Sequence, residues 1–317
     1  MQYSLLNRFR GGLLGSLVGK ILSSNSVPGQ VVGKAMLTPT QPGDAQSSTT
    51  LFDWSRIADC GIESLIRCGR LDLEDWVLHS GMVQPSLLSL KSAAGSSETA
   101  LATLPIALFF HDDQVKLRQH LPQAVAVWQG EAEASEGVLA VAFAIALALT
   151  EKLDVATLIP QTIAYLGTSQ TFLVQQLEQV QSLIEKGAGL DTTLAQLRRE
   201  RSHRGKPVDY SATSIALAFY CFLYTPDDFR LSLLRAARIR YQTKITCGLT
   251  GALSGVYNGF IGIPTGWQLA ANRTTTGIQK LQLADRLLAA WSGVYDISVV
   301  QPCQQLAVAA PHVIQPR

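Results

Sequence analysis

Apolar side chains recur every three or four residues along most of this chain, which is the spacing of helices with one buried face. The predicted helices span residues 5–22, 54–67, 72–80, 99–110, 114–128, 136–150, 154–166, 169–185, 191–201, 211–224, 226–238, 243–260 and 276–290. No segment alternates apolar and polar residues over the length of a strand. The pattern therefore predicts an all-α protein.

Polar residues at the segment ends indicate where individual helices begin. Asp72 precedes an apolar stretch and is a predicted N-cap. Pro226 fits the first turn of the helix at 226–238, where its missing N–H costs nothing, and Thr225 before it is the predicted cap.

The connections between the helices do not divide the chain into two parts of different composition. We therefore predict one compact multi-helix domain at 1–298, followed by an irregular, proline-containing tail at 299–317. The longest connection, at 23–50, is rich in Ser, Gly, Pro, Gln and Thr. Such a long connection is typical of a functional lid or a disordered segment.

Composition and charge exclude several classes of function. The 317 residues are 47% hydrophobic and 16% charged, and the net charge of +2 gives no support for a nucleic acid or a membrane surface as partner. The apolar stretch 138–149 is too short to cross a membrane, and 245–263 carries too many polar residues and glycines. Five cysteines without a Cys-x-x-Cys pair, and no secretory signal, indicate buried reduced thiols in a cytoplasmic protein.

Two of the predicted helices carry glycine at helical spacing. One face has Gly12, Gly15 and Gly19, and the other has glycines at 248, 251, 255 and 259. Each glycine inside a helix costs about 1 kcal/mol relative to alanine, so close helix–helix packing must offset it. We predict that these two faces pack against each other.

Four segments, in this order, resemble the signature of the ADP-ribosylglycohydrolase family. Residues 10–19 resemble its opening Arg-Gly-x-Leu-Leu-Gly-x-x-x-Gly, and 63–72 the helix end after its Thr-Asp-Asp-Thr motif. Residues 96–105 correspond to its Gly-Asn-Gly…Pro segment. Residues 240–267 correspond to its closing helix, which contains several glycines and is followed by Ile-Pro…Trp. The resemblance implies a single all-α domain of the ADP-ribosylglycohydrolase type.

The same resemblance implies a chemistry that the matched residues do not supply. The family cleaves a glycosidic bond to ADP-ribose with two Mg²⁺ ions, which demand oxygen ligands. At the positions that match the Thr-Asp-Asp-Thr motif, one carboxylate is retained, Asp53, and the second aspartate is replaced by Trp54. The two aspartates of the closing turn are replaced by Gln242 and Lys244, and the aspartate of the opening helix by Lys20.

Two further departures agree with this loss. The asparagine of the Gly-Asn-Gly segment is replaced by Ser97, and residues 1–43 contain no Asp or Glu, the first being Asp44. We predict no metal site and no cofactor, with Asp53 as the only matched carboxylate. Mg²⁺ is expected as a cofactor only if the protein is an active hydrolase, and Asp53 is then the candidate catalytic residue.

We hypothesise that the ammonium of Lys244, together with Lys20, replaces the metal charge and pairs with Asp53, although Lys244 at a helix start can equally point into solvent. The candidate ligand-binding residues are Lys20, Asp53, Trp54, Ser55, Ser97, Gln242, Thr243 and Lys244. The expected partner is an anionic small ligand or another protein. The basic run at 198–206 is interpreted as a solvated loop.

The leading functional prediction is a catalytically inactive pseudoenzyme that acts as a binding, scaffolding or regulatory module. The alternative is a Mg²⁺-dependent hydrolase that removes ADP-ribose from protein side chains through a remodelled site. A third reading is a hydrolytic activity that needs no metal.

Overall fold

The computed structural model of the chain describes residues 3–24, 53–80, 95–128, 133–167, 171–199 and 210–294. In these ranges all regular structure is helical, which confirms the all-α prediction. The helices are α1 Leu5–Ser24, α2 Trp54–Cys68, α3 Leu73–His79, α4 Ser96–Ala102, α5 Leu104–Phe109, α6 Gln114–Trp128, α7 Glu133–Leu149, α8 Leu158–Leu166, α9 Phe172–Glu185, α10 Leu190–Arg199, α11 Tyr210–Tyr224, α12 Phe229–Ile239, α13 Thr243–Gly262, α14 Thr265–Asn272 and α15 Thr275–Trp291.

Two long predicted irregular segments fall largely outside the described residues. Ser23 and Ser24 belong to α1, while the rest of the predicted 23–50 connection lies outside the described ranges. The tail at 299–317 also lies outside them, so the predicted boundary at residue 298 stays a prediction.

The antiparallel helices α1 and α13 form the centre of the fold and touch backbone to backbone. A methyl group on Gly15 would collide with the carbonyl oxygen of Gly251, and one on Gly251 with that of Gly15. The predicted packing of the two glycine faces is thereby confirmed, with two corrections. Gly11, and not Gly12, packs against Gly255, because Gly12 faces the side chain of Val256. Gly248 faces Leu101 and Trp54 and not α1.

Around this pair, α11 and α7 are buried on nearly every side. In α11 every residue from Ser211 to Leu223 is buried, and in α7 the same holds from Ala140 to Leu149. These two helices have no polar face because other helices surround them. The apolar run at 138–149 is thus a core helix, and within the described residues no helix combines the length and apolarity that a membrane span requires.

Two predicted helices differ from the structure for identifiable local reasons. The segment 99–110 is two helices that meet at Thr103, because Pro105 has no N–H to continue the first helical ladder. Pro226 does not begin a helix: α12 starts at Phe229, and Asp228 caps it by accepting from the N–H of Leu231 at 2.8 Å. Thr225 instead accepts a hydrogen bond from Ser232, at its carbonyl oxygen.

Helix α14 was not predicted at all. It follows Pro264 directly and buries Trp267 and Ala271 against Phe229 of α12 and its neighbours. With only eight residues it offers barely two turns of pattern, too little periodicity to recognise in a sequence.

The thiols are only partly as predicted. Cys221 and Cys247 are free and buried, and burial raises the pKa of Cys247 to about 12. Cys60 and Cys68 are free but only half-buried, because both lie at the outer side of α2.

Candidate functional site

The C-terminal end of α1 meets the N-terminal ends of α2 and α13 at the positions that the family resemblance matches to the metal site. Lys20 lies in the last turns of α1, Asp53 caps the start of α2, and α13 begins just after Gln242. The ring of Trp54 joins α2 to α13, because a Cβ on Gly248 would lie only 3.3 Å from its Cζ2 atom. The packing of these helices therefore brings together residues nearly 200 positions apart in sequence.

The central interaction is an ion pair between Lys20 and Asp53. The Lys20 Nζ atom donates to Asp53 Oδ1 at 2.9 Å, and it lies 5.4 Å from the centroid of the buried Trp54 ring. The Lys20 side chain is 32% exposed and that of Asp53 is 50% exposed. The ammonium thus has a carboxylate and an aromatic face as partners and still reaches the surface.

The backbone at the start of α2 also holds the Asp53 carboxylate. Its Oδ1 accepts from the N–H of Ser55 at 3.1 Å, which is the N-cap interaction of this helix. Burial tends to raise the pKa of Asp53, but the hydrogen bond and charge of Lys20 and the N–H groups of Ser55 and Arg56 outweigh it. The net effect is a pKa below the ordinary value, so Asp53 is ionised at neutral pH.

The turn before α13 has an unusual backbone. Arg240 (φ 50°) and Gln242 (φ 40°) both adopt the left-handed conformation, which side chains other than glycine rarely adopt. The hydroxyl of Thr246 fixes the turn by donating to the carbonyl oxygen of Tyr241 at 2.9 Å. Left-handed residues of this kind concentrate at functional sites, where the surrounding structure sustains the strain.

The structure corrects the hypothesis that Lys244 pairs with Asp53. Lys244 is exposed in the first turn of α13, and within the described residues it makes no ion pair. Among the described residues the ammonium comes from Lys20, which projects from α1 toward the start of α2 and donates to Asp53. The alternative prediction, that Lys244 points into solvent, therefore agrees with the structure.

The remaining candidate residues are divided between the surface and the interior. Gln242 is exposed and Thr243 half-buried at the start of α13, while Ser55 is buried behind Asp53. Ser97, at 1% exposure, has a hydroxyl oxygen with no hydrogen-bond partner in the described residues. Nothing in the described geometry joins Ser97 to the Lys20–Asp53 pair.

Sequence reasoning missed a second lysine–aspartate pair, formed by Lys280 of α15 and Asp59 of α2. Lys280 Nζ donates to Asp59 Oδ1, and the two side chains are only 2% and 20% exposed. Burial raises the pKa of Asp59 and outweighs the opposing charge of Lys280, and Asp53 also raises it. A sequence signal existed, because Lys280 lies on the face that α15 buries with Gly277, Ala284 and Leu287.

The described residues do not fit the two-Mg²⁺ site that the resemblance implies. Asp53 already accepts from an ammonium, and the matched positions 20, 54, 242 and 244 carry no carboxylate. Across the described ranges, no three His, Cys, Asp or Glu side chains come close enough together to hold a metal ion. The chemistry of this site is therefore that of a cation and a carboxylate joined in a pair.

The all-α bundle, with a glycine-packed helix pair at its centre and the candidate site at helix ends, is a fold of the ADP-ribosylglycohydrolase type. A sequence model of the family described as ADP-ribosylglycohydrolase matches residues 1–296, and the chain belongs to this family. A sequence search of the curated proteins gives no match.

A similar solved structure supports the same fold. It is described as an ADP-ribosylglycohydrolase-related protein complex and superposes with a TM-score of 0.61 at 18% sequence identity. The match covers 90% of this chain and 98% of that chain. At this identity the likeness establishes the architecture alone.

Proposed function

We propose that this family member is a pseudoenzyme that acts as a binding or scaffolding module and does not hydrolyse ADP-ribosyl bonds. The Lys20–Asp53 ion pair carries this proposal, since it joins two of the matched metal-site positions at 2.9 Å. A divalent ion beside Asp53 would face this ammonium at close range. Two like unit charges 4 Å apart repel by about 4 kcal/mol at the effective dielectric of a protein surface.

The surroundings of the pair favour an anionic ligand. Arg56, Arg240 and Lys244 are exposed cations at the starts of α2 and α13. The N-termini of both helices add partial positive charge in the same region. A phosphate or carboxylate group matches this combination of charge and N–H donors.

A protein partner is the second candidate. The solved relative is described as part of a protein complex, which is a property of that protein. We extend it to this chain because a module without catalysis acts through what it binds. Under this proposal the cationic surface at Lys244 and Arg240 contacts an acidic segment of the partner.

The decisive experiment compares the natural chain with a variant that restores carboxylates at the matched positions. This variant carries Lys20→Asp, Trp54→Asp, Gln242→Asp and Lys244→Asp. Release of ADP-ribose from arginine- and serine-linked substrates and the shift of Tm with MgCl2 are measured for both proteins. We expect neither turnover nor a Mg²⁺-dependent Tm shift for the natural chain.

The restored variant shows whether the fold can still accommodate the ion. A Mg²⁺-dependent rise in its Tm is expected, because an ion that binds only the folded state stabilises it by mass action. A Mg²⁺ shift of the natural chain that Asp53→Ala abolishes, or ADP-ribose release by the natural chain, would establish the hydrolase alternative instead. Titration with ADP-ribose and with inorganic phosphate then tests the anion preference.

A further inference from the structure

The outward side of α12 carries arginine and leucine but no carboxylate. Residues 229–284, which run from the start of α12 into α15, contain seven Lys or Arg residues and no Asp or Glu. Helix α12 turns its apolar residues inward, where it buries Phe229, Leu233, Ala236 and Ile239. On the opposite side it exposes Arg230, Leu231 and Arg238. These three residues, together with the exposed Arg240 just after the helix, are called the α12 face.

The fold does not use the arginines of the α12 face in ion pairs. Within the described residues, no ion pair involves Arg230, Arg238 or Arg240. Arg235 of the same helix differs, because it is half-buried and donates to the hydroxyl oxygen of Thr225 at 2.8 Å. The α12 face is therefore a cationic surface whose guanidinium groups can each bind an external carboxylate through two parallel hydrogen bonds.

An exposed leucine lies among these arginines. Leu231 is 47% exposed and follows Arg230 directly, and Arg238 lies on the same side of the helix about two turns further on. Arg230 and Arg238 are about 12 Å apart along the helix axis. This arrangement matches a second helix that carries carboxylates about two turns apart, with an apolar side chain between them.

Other anionic surfaces fit the α12 face less well. Asp227 and Asp228 are exposed directly before α12, so the evenly spaced phosphates of a nucleic acid would meet two carboxylates beside Arg230. A protein segment avoids this repulsion, because its charge varies from residue to residue. A helix that binds a membrane surface inserts its apolar side, and the apolar side of α12 is already buried in the protein.

We propose that the α12 face docks an acidic amphipathic helix of a protein partner. The carboxylates of that helix pair with Arg230 and Arg238, and one of its apolar side chains packs on Leu231. Arg240 continues the cationic surface toward Gln242 at the start of α13. The inference rests on the proposed role of the protein as a binding module, and it names the chemistry of the partner.

Fluorescence anisotropy with labelled helical peptides tests the proposal on the full chain. The probe consists of repeats of Leu-Ala-Ala-Leu-Glu-Gln-Glu. In one control peptide every Leu is replaced by Gln, and in the other every Glu is replaced by Gln. We expect the probe to bind at least about tenfold more tightly than either control, since charge and apolar contact both contribute. Equal binding of either control peptide, or no binding of the probe, overturns the proposal.

Two other polyanions test whether the partner is a protein. Double-stranded DNA and vesicles that contain phosphatidylserine are titrated under the same salt conditions as the probe, because salt weakens all three interactions. Weaker binding of both than of the probe is expected. Tighter binding of either would assign the α12 face to a nucleic acid or to a membrane and would contradict the proposal.

Variants locate the probe on the α12 face. Arg238→Glu is expected to weaken its binding about tenfold, because a repelling charge replaces an attracting one. Arg70→Glu, which changes an arginine side chain that is 78% exposed after α2, alters the net charge equally and should leave binding unchanged. Leu231→Gln should weaken binding of the probe but not of the leucine-free peptide. Equal losses in the two arginine variants would show that only net charge matters and would refute the proposal.

The docking surface and the proposed function can fail separately. ADP-ribose release by the natural chain would refute the pseudoenzyme proposal and leave peptide binding unaffected, because Arg238 and Leu231 do not belong to the Lys20–Asp53 pair. A probe that does not bind, together with no turnover and no Mg²⁺-dependent Tm shift, would refute the docking surface and leave the pseudoenzyme proposal standing.

Discussion

Both lysine–aspartate pairs use an aspartate of α2, its N-cap Asp53 or Asp59 within the helix, and the two pairs differ mainly in burial. Lys20 and Asp53 are 32% and 50% exposed, whereas Lys280 and Asp59 are 2% and 20% exposed. The pKa of Asp53 is lowered and that of Asp59 is raised, although each carboxylate accepts from an ammonium. Desolvation outweighs the partner charge only in the buried pair, and this indicates which pair is structural and which is available to a ligand.

The largest expected effect is that of Asp59→Ala. It leaves the ammonium of Lys280 almost fully buried without the carboxylate that it contacts. Removing one partner of a buried pair costs about 3–5 kcal/mol, because the remaining charge stays desolvated. Urea unfolding measures the loss. A change below about 1 kcal/mol would show that water reaches Lys280 and that the two pairs do not differ as described.

A smaller loss, about 1–3 kcal/mol, is expected for Lys280→Met, because Asp59 is partly exposed and can accept a proton. Without Lys280 the pKa of Asp59 rises further in the folded state. An acid with a raised folded pKa destabilises the fold fully above that pKa, and the loss disappears as pH falls toward the unfolded value. Tm values of both proteins at pH 8 and pH 5 should therefore converge at pH 5. A difference that does not depend on pH would contradict this explanation.

Asp53→Asn isolates the charge of the exposed pair, because asparagine also caps a helix. The expected loss is about 0.5 kcal/mol, since solvent screens an exposed pair. The folded pKa of Asp53 is lowered, so its contribution is present above the unfolded value of about 3.9 and is lost as pH falls through the folded pKa. Unfolding curves should show a constant difference from pH 8 to pH 5. Asp53→Ala, which also removes the cap, is the control and should lose about 1 kcal/mol more.

Lys244→Ala should have the smallest effect on stability, within about 0.5 kcal/mol, because this lysine is exposed. Its effect should appear in binding instead, as a weaker affinity for ADP-ribose or phosphate at unchanged Tm. A clear loss of Tm would show that Lys244 has a structural partner. If neither the stability nor the anion affinity decreased, Lys244 would not be part of the candidate site.

The contact between α1 and α13 could be predicted from the sequence, because glycines inside a helix are destabilising unless close helix packing offsets their cost. Glycines at helical spacing in two apolar segments require a backbone–backbone contact, and the structure has that contact at Gly15 and Gly251. Two positions were wrong: Gly11 makes the contact predicted for Gly12, and Gly248 faces Leu101 and Trp54. Along a helix, successive residues are rotated by about 100°, and the apolar surroundings of residues 11 and 12 are similar.

The candidate site was only half predictable. Lys20 and Asp53 could be singled out by their positions in the family pattern, but the choice of Lys20 over Lys244 as the partner of Asp53 depends on the packing of α1 against α2. The Lys280–Asp59 pair joins residues 221 positions apart, and no local spacing links them. A cavity lined by Arg8, Glu151, Asp227 and Asn258 likewise combines four separate segments of the chain.

By itself the sequence determined the helical architecture, the family and the substitution of lysine, tryptophan and glutamine for carboxylates at the matched positions. These properties depend on local periodicity and on the identity of single residues. The tertiary structure decided which charges meet, how deeply each pair is buried and in which direction each pKa moves. Those properties depend on distance and desolvation, which arise only when segments far apart in the chain pack together.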